Sequence, residues 1–174
     1  TRVADIADRA GVGKGTVYEY FSSKEELLFA VFESINQNIA SRMDKALDEG
    51  DSVMDQLLNL LKLGAKVVTE QSEMQPAILD FWVASRGRDF EELYRQAVVA
   101  SYTFFRDSIA VFIRGGQARG EFRSDIDAEA LATTVVATID GLGIQFYFDR
   151  SIDPHRVTEA FAHLLFDSLT GGSQ

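Results

Sequence analysis

Apolar residues recur along this chain at the spacing of α-helices, and no segment alternates as a strand does. The clearest series is Leu27, Val31, Ile35, Ile39, Met43 and Leu47. No Asn-Gly pair lies between two alternating runs, so the usual hairpin signal is missing from the sequence as well. The pattern therefore predicts an all-α protein.

Capping residues divide the first part of this pattern into three helices. Thr1 can cap a short helix that ends at Gly11, a residue that tolerates the left-handed conformation of a sharp turn. A second short helix is predicted from about Lys14 to Tyr20. Residues 23–26, Ser-Lys-Glu-Glu, form a capping box that opens a long helix to about Glu49. At 1.5 Å per residue that helix spans roughly 39 Å, which is enough to join one module to another.

Further caps predict five more helices. Their predicted starts are Asp51 or Ser52, Pro76, the residues after Asp89 and after Asp127, and Pro154. Their predicted ends are about Val68, Ala84, Gly115-Gly116, which should loosen the helix end, Phe148 and Gly171-Gly172. The helix after residue 52 is apolar over much of its circumference, which favours a central buried position.

Residues 7–20 contain the elements of a helix-turn-helix. This motif needs a small residue where two helices touch, a turn glycine four positions later, and apolar anchors for the second helix. Ala7, Gly11, Val12, Val17 and Tyr20 supply these elements. By itself the pattern is moderately specific, because Ala-x-x-x-Gly also occurs at the ends of ordinary helices.

The wider string TRVADIADRAGVGKGTVYEYFSSKEELLFAV closely resembles the signature of the tetracycline-repressor (TetR) family. In that family a Lys-Gly-Thr-hydrophobic-Tyr-x-Tyr-Phe recognition helix follows the turn, and Ser-Lys-Glu-Glu-Leu starts the next helix. The resemblance implies a DNA-binding domain in residues 1–45 and an effector-binding and dimerisation domain in residues 46–174. The family pattern also has a helix before this motif that the printed sequence lacks, so we expect full DNA affinity only from a protein that carries it.

The resemblance implies DNA contacts at Lys14, Thr16, Tyr18 and Lys24. Their chemistry agrees, because lysine can reach a guanine edge or a phosphate and threonine can meet a thymine methyl. Gly15 would let the backbone approach the groove. For Tyr20 two interpretations stay open, a phosphate contact and a place in the core.

The charge distribution leaves the N-terminal end as the DNA-facing surface. The net charge is −10, which would repel DNA from most of the surface. Residues 1–45 carry six of the 17 Lys and Arg residues and seven of the 27 Asp and Glu residues, so the acidity lies almost wholly outside them. The sequence contains no cysteine, which fits a reducing cytoplasm.

The last two predicted helices are more apolar than one buried stripe requires, so a second face must be covered. An internal core is one interpretation, and a two-fold four-helix interface is the other. The resemblance favours a homodimer interface, because the family pairs its last two helices. The candidate interface residues are Ile139, Gly143, Ile144, Phe161 and Leu165.

Aromatic residues between the motif and the last helices could line a pocket for a small effector. The candidates are Phe81, Trp82, Tyr102, Phe105 and Tyr147. Taken singly, each is more typical of ordinary core. This region is rich in aromatic residues and has few charged residues that could bind a charged ligand. It therefore favours a hydrophobic or amphipathic effector. No cofactor is predicted, and His155 and His163 have no obvious third ligand that would predict a metal site.

Other classes of function find little support in the sequence. It has no glycine-rich phosphate loop, no Gly-x-Ser-x-Gly elbow and no histidine beside a nucleophile, so an enzyme is not predicted. No uncharged run approaches 18 residues, and we expect no membrane association. The prediction is a cytoplasmic, ligand-responsive transcription regulator that partners operator DNA, with a DNA-independent helical interaction module as the alternative.

Overall fold

The computed structural model describes residues 2–48, 52–76, 79 and 91–171, and these residues form helices and turns without a strand among them. The helices are α1 (Val3–Ala10), α2 (Lys14–Tyr20), α3 (Lys24–Asp48), α4 (Val53–Glu70), α5 (Glu91–Ala118), α6 (Ala128–Phe148) and α7 (Pro154–Thr170). The predicted all-α class is therefore confirmed. Most of the helix predicted from Pro76 to Ala84 falls outside the described residues.

Three predicted caps fix helix starts as expected. The side chains of Ser52, Asp127 and Asp153 each accept a hydrogen bond from a backbone N–H in the first turn of α4, α6 and α7. Pro154 occupies the first turn of α7, where its missing N–H costs nothing. At the other end of α7, Gly171 has a φ of 85°, the left-handed conformation expected of a C-terminal glycine.

The start of α1 differs from its prediction. The cap is Arg2, whereas Thr1 lies outside the described residues. The Arg2 backbone N–H and guanidinium donate to the Asp5 carboxylate over distances of 2.9–3.2 Å. An ion pair thus closes the first turn in place of a threonine hydroxyl, and it holds the pKa of Asp5 below its usual range. At the other end of α1, Gly11 has a φ of 68° and forms the predicted turn.

The end of α5 also differs, because the helix runs through Gly115 and Gly116 to Ala118 without loosening. Gly116 is buried, and the ring of Phe122 lies where a side chain at position 116 would stand. A Cβ atom there would be 2.2 Å from Cδ2 of Phe122. The glycine therefore serves packing, since it lets the segment after α5 fold back against the helix.

α4 occupies the centre of the larger helical region, as its apolar circumference predicted. It packs against α3, α6 and α7, and α5 packs against α3 and α6. Leu57, Leu61 and Ala65 on α4 are at most 3% exposed. The core thus lies around α4, and a space within it is walled by α4 together with the helices that surround it.

α6 is the one helix among the described residues that is long and apolar enough, by length and composition alone, to cross a membrane. Only 17% of its most apolar 18-residue stretch is buried inside the chain. Length and composition are weak grounds for a membrane span, and Asp140 lies in this helix. The fold therefore leaves much of the apolar surface of α6 without cover from its own chain.

Candidate nucleic-acid interface and internal cavity

α1 and α2 pack together across the turn at Gly11. Ala7 is 1% exposed, so the small residue required where the two helices touch is in place. The Val12 N–H donates to the Ala7 carbonyl over 3.0 Å and closes the turn. The small residue and the turn are those that the helix-turn-helix pattern predicted. Of the predicted apolar anchors, Val17 is half-buried and Val12 is 41% exposed, so the second helix is less firmly anchored within this chain than the pattern predicted.

α2 presents nearly its whole surface to solvent, and none of its residues is buried. Lys14, Gly15, Thr16 and Tyr18 are exposed. The ammonium group of Lys14 lies 5.7 Å from the ring centroid of Tyr18, one helical turn further on. The α2 surface therefore carries a cation and a phenol side by side, the two kinds of group that bind phosphate oxygens and base edges.

Tyr20, at the end of α2, is 76% exposed. The interpretation that this residue belongs to the core is therefore wrong. A tyrosine this exposed next to Tyr18 adds a second phenol to the α2 surface, and its role as a phosphate contact stays a prediction.

Lys24 is half-buried at the first position of α3. The Ser23 hydroxyl oxygen accepts the Glu26 N–H over 3.0 Å, which is one half of the predicted capping box. The Glu26 carboxylate instead accepts bonds from the backbone and hydroxyl of Ser22, and these bonds lower the pKa of Glu26. The backbone N–H groups of Ser22 and Glu26 are thus already bonded within the chain and are not available to a phosphate. The Lys24 ammonium is therefore the better contact for an anion at the start of α3.

Tyr94 connects the cavity-forming helices to the start of α3. This residue of α5 is 1% exposed, and its hydroxyl donates a hydrogen bond to the backbone carbonyl of Glu25. Its ring meets that of Phe29 edge to face, with the centroids 5.6 Å apart. Burial, followed by the charge of Glu25, raises the pKa of Tyr94, so the hydroxyl stays a donor. α5 thereby holds the first turn of α3 one residue from Lys24.

An internal cavity of about 210 Å³ lies between α3, α4, α5 and α6. Most of its described lining is aliphatic, with Phe32, Tyr102 and Phe105 as the aromatic contributions. The volume is below the roughly 300–1,000 Å³ of pockets that hold drug-sized ligands. The described walls therefore suit a small apolar or amphipathic molecule.

Six of the described lining residues are polar. They are Asn36, Gln71, Gln75, Ser101, Tyr102 and Asp140. Met43, Leu60 and Ile109 are among the apolar lining residues, and they also belong to the buried core. The cavity thus offers both polar groups and an apolar wall to a bound molecule.

Asp140 and Tyr102 both line the cavity and lie close enough to influence each other's ionisation. Burial raises the pKa of the Asp140 carboxyl, and the nearby Tyr102 hydroxyl opposes that shift. Burial also raises the pKa of Tyr102, with a further contribution from the charge of Asp140. The pair therefore consists of a carboxyl acceptor and a phenol that remains protonated.

The structure distributes the predicted pocket residues unevenly. Tyr102 and Phe105 line the cavity, and Tyr147 instead packs against the ring of Phe148 with a centroid distance of 5.0 Å. Phe81 and Trp82 lie outside the described residues.

Sequence reasoning missed the aliphatic walls and Asp140. A carboxylate with apolar neighbours on both sides, as Asp140 has in Ile139 and Ile144, was the available signal for the latter.

The candidate interface residues also fall in different places. Ile139, Gly143 and Ile144 line the cavity, Leu165 is 7% exposed within the core, and Phe161 is half-buried. The exposed apolar residues of α6 and α7 are others: Phe148 is 75% exposed and Leu164 is 66% exposed. Contact of the predicted residues with a second copy stays a prediction, and Leu164 and Phe148 are the better placed for it.

Two family models match the chain. The model described as "Bacterial regulatory proteins, tetR family" matches residues 1–31, and "BetI-type transcriptional repressor, C-terminal" matches residues 66–169. Among curated relatives, the HTH-type transcriptional regulator TtgR of Pseudomonas putida is 29% identical over 147 residues, which are 82% of this chain and 68% of TtgR. The transcriptional regulator AcuR of Cereibacter sphaeroides is 26% identical over 163 residues, which are 91% of this chain and 73% of AcuR.

Solved structures share the fold. The MbdR regulator from Azoarcus sp. CIB superposes with a TM-score of 0.75 at 25% identity, covering 97% of this chain and 88% of that one. FadR from Bacillus subtilis, solved in complex with stearoyl-CoA, gives a TM-score of 0.74 at 22% identity, covering 97% of this chain and 89% of that one. Both likenesses extend over nearly the whole chain.

Proposed function

Because the chain belongs to the TetR family of bacterial transcriptional regulators, we propose that it represses transcription as a homodimer on a palindromic operator and is released by a small amphipathic effector. Residues 1–45 read DNA, and residues 46–174 bind the effector and dimerise, in the cytoplasm. The observation that carries the proposal is one continuous helix, α3, which begins beside the exposed α2 surface and lines the cavity further on. The N-terminal family match disfavours a DNA-independent interaction module.

α2 is the recognition helix of this proposal, and it enters the major groove with Lys14 and Tyr18 foremost. Lys14 bonds a guanine edge or a phosphate, and Thr16 meets a thymine methyl or a phosphate. Gly15 leaves room for the backbone to approach, while Tyr20 and Lys24 contact phosphates on either side. Exposure of these α2 residues supports the assignment, since a DNA-reading face must be free of packing.

We expect Lys14→Ala and Tyr18→Ala each to weaken operator binding by about 1–3 kcal/mol, the usual cost of a lost base or phosphate contact. The measurement is a gel shift with the full-length protein and DNA from upstream of its own gene. Lys62→Ala is the matched control, because Lys62 is an exposed cation on α4, away from α2. Unchanged binding in both α2 variants would rule out α2 as the recognition helix.

The salt dependence separates phosphate contacts from base contacts. We expect Lys24→Ala to weaken binding to all DNA sequences alike, and to reduce the slope of log affinity against log salt concentration by about 1. A Lys24 variant with an unaltered slope would mean that this lysine does not reach the backbone.

Effector release follows from the connection between the cavity and α3. A molecule that enters the cavity presses on Phe32 and Ile35 of α3, and on the α5 wall that also carries Tyr94. A shift of α3 changes the separation of the two recognition helices, which must match half-sites about 34 Å apart. Coupling of this kind is reciprocal, so operator DNA weakens effector binding by the same factor, typically about 5–150-fold.

Tyr94→Phe should loosen this connection while it keeps the ring contact with Phe29. Loss of the hydrogen bond to the Glu25 carbonyl should lower the free energy of unfolding by about 1 kcal/mol. Operator affinity should fall as well, because the start of α3 is no longer held. Thermal unfolding and the gel shift measure the two effects. Tyr147→Phe is the control, since Tyr147 lies outside the cavity lining, and equal behaviour of both variants would show that Tyr94 has no part in DNA binding.

A further inference from the structure

Asp140 of α6 is the one carboxylate among the described lining residues of the cavity. Tyr102 is the only other ionisable group among them. The described part of that lining includes no lysine, arginine or histidine. Asp140 is half-buried. A charge that is partly withdrawn from water without a partner of opposite sign has a cost, so this carboxyl needs a reason to be there.

The carboxyl has more hydrogen-bonding capacity than Tyr102 uses. An ionised carboxylate can accept at about four lone-pair positions, and a tyrosine hydroxyl donates a single hydrogen. Ser101, which precedes Tyr102 in the chain, and Asn36 also line the cavity and can bind a polar group as donors or acceptors. The described polar lining is therefore rich in acceptors, and its one charge is negative.

The apolar part of the lining accepts a hydrocarbon. Met43, Leu60 and Leu61 belong both to the cavity lining and to the buried core. Along α5, the eight residue steps from Ser101 to Ile109 span roughly 12 Å, which is the length available to a tail. The lining thus offers polar groups to a head and an apolar wall to a tail.

We propose that the cavity takes a small amphipathic molecule whose head group donates hydrogen bonds to Asp140, a protonated amine above all, and that it excludes carboxylates. The inference rests on the proposed function, in which this cavity is the effector site. A cationic head neutralises the half-buried Asp140 carboxylate, and its N–H groups use the remaining acceptor positions. A carboxylate head would place a second negative charge beside Asp140.

Three probes with one tail and different heads test the proposal: n-octylamine, 1-octanol and octanoate. Calorimetric titration of the wild-type protein at pH 7 should give at least tenfold tighter binding of n-octylamine than of octanoate, about 1.4 kcal/mol, with 1-octanol between them. Octanoate binding as tightly as n-octylamine would overturn the proposal. This ranking needs no variant, so it decides the question even if substitutions impair folding.

Asp140→Asn assigns the preference to the carboxylate. The substitution keeps the shape and removes the charge, so n-octylamine and octanoate should then bind within about threefold of each other, with 1-octanol affected least. Asp44→Asn is the control, because Asp44 is an exposed residue of α3 that is absent from the cavity lining. An amine preference that survives in Asp140→Asn would show that another group selects the head.

Gel shifts with the same probes separate this inference from the proposed function. If 1-octanol binds and releases operator DNA but the amine preference is absent, the head-group inference is wrong and the repressor function stands. If the amine preference depends on Asp140 but the full-length protein binds no operator, the repressor function is wrong and the cavity chemistry stands.

Discussion

Leu164→Asp is expected to convert the proposed dimer into monomers and to abolish operator binding. Leu164 lies on α7 and is 66% exposed in the single chain, and α6, the other helix of the proposed interface, is apolar with little cover from its own chain. In a two-fold interface each substitution occurs twice. An uncompensated buried charge costs about 3–5 kcal/mol. Two such charges, one from each chain, would therefore destabilise the interface by more than a typical interface residue contributes to the free energy of association.

Light scattering measures the mass of the variant, and the gel shift measures its operator affinity. A monomer reads one half-site, so we expect its operator affinity to fall by at least about 100-fold, or 2.7 kcal/mol. Val111→Asp is the control, because Val111 is a similarly exposed apolar residue, at 61%, on α5. A Leu164→Asp protein that stays dimeric at the same concentration would place the interface on another surface.

The second large effect concerns the adjacent glycines of α5. Gly116→Ala should destabilise the protein by about 1–3 kcal/mol or more, because the new Cβ would overlap the buried ring of Phe122 at 2.2 Å. Gly115→Ala should be neutral or stabilise by up to about 1 kcal/mol, because its nearest neighbour is the mobile end of Arg119 at 3.3 Å. Chemical denaturation of both variants measures the contrast, and equal effects would contradict the packing of Phe122 on α5.

A double-mutant cycle locates the cause. Phe122→Ala alone should cost about 3–5 kcal/mol, as expected for a buried aromatic that is 4% exposed and packs edge to face on Phe112. In that background Gly116→Ala should cost little, because the ring it would strike is gone. A coupling energy near zero between the two positions would mean that Gly116 matters for another reason.

Helix bounds were predictable wherever a side chain closes the first turn. Asp127 and Ser52 mark the starts of α6 and α4 because their oxygens bond to N–H groups within their own turn, which is a local property of the sequence. The start of α1 was less predictable, since an arginine pairing with Asp5 is an uncommon cap. The bounds of α2 were predicted correctly because the turn glycine and the family string coincide there.

The cavity was predictable in kind and less so in its residues. Aromatic content directed attention to Tyr147, yet most of the described walls are aliphatic side chains of four helices. α6 is apolar on most sides, so periodicity could not tell which of its faces meets α4 and which meets solvent. Ile144 illustrates the ambiguity, since the same residue type suits a cavity wall and a dimer surface.

The two glycines of α5 show a further limit of the sequence. Periodicity and propensity treat Gly115 and Gly116 alike, as two poor helix formers. Their difference arises from Phe122, which reaches back from the following segment to cover only one of them. A contact made after the chain reverses direction leaves no trace in a helical pattern.

Some residues line the cavity and also belong to the core, so the supply of ligand affects how many core mutations the protein tolerates. Met43, Leu60 and Ile109 are such residues, and a substitution there that changes ligand preference also weakens the packing of the core. The free energy of unfolding of a folded protein is only about 5–15 kcal/mol. A ligand present at 100 times its dissociation constant raises the free energy of unfolding by about 2.7 kcal/mol. Lineages that live with a constant supply of the ligand can therefore accumulate core mutations that would unfold the empty protein, and their descendants would come to need the ligand as a folding aid.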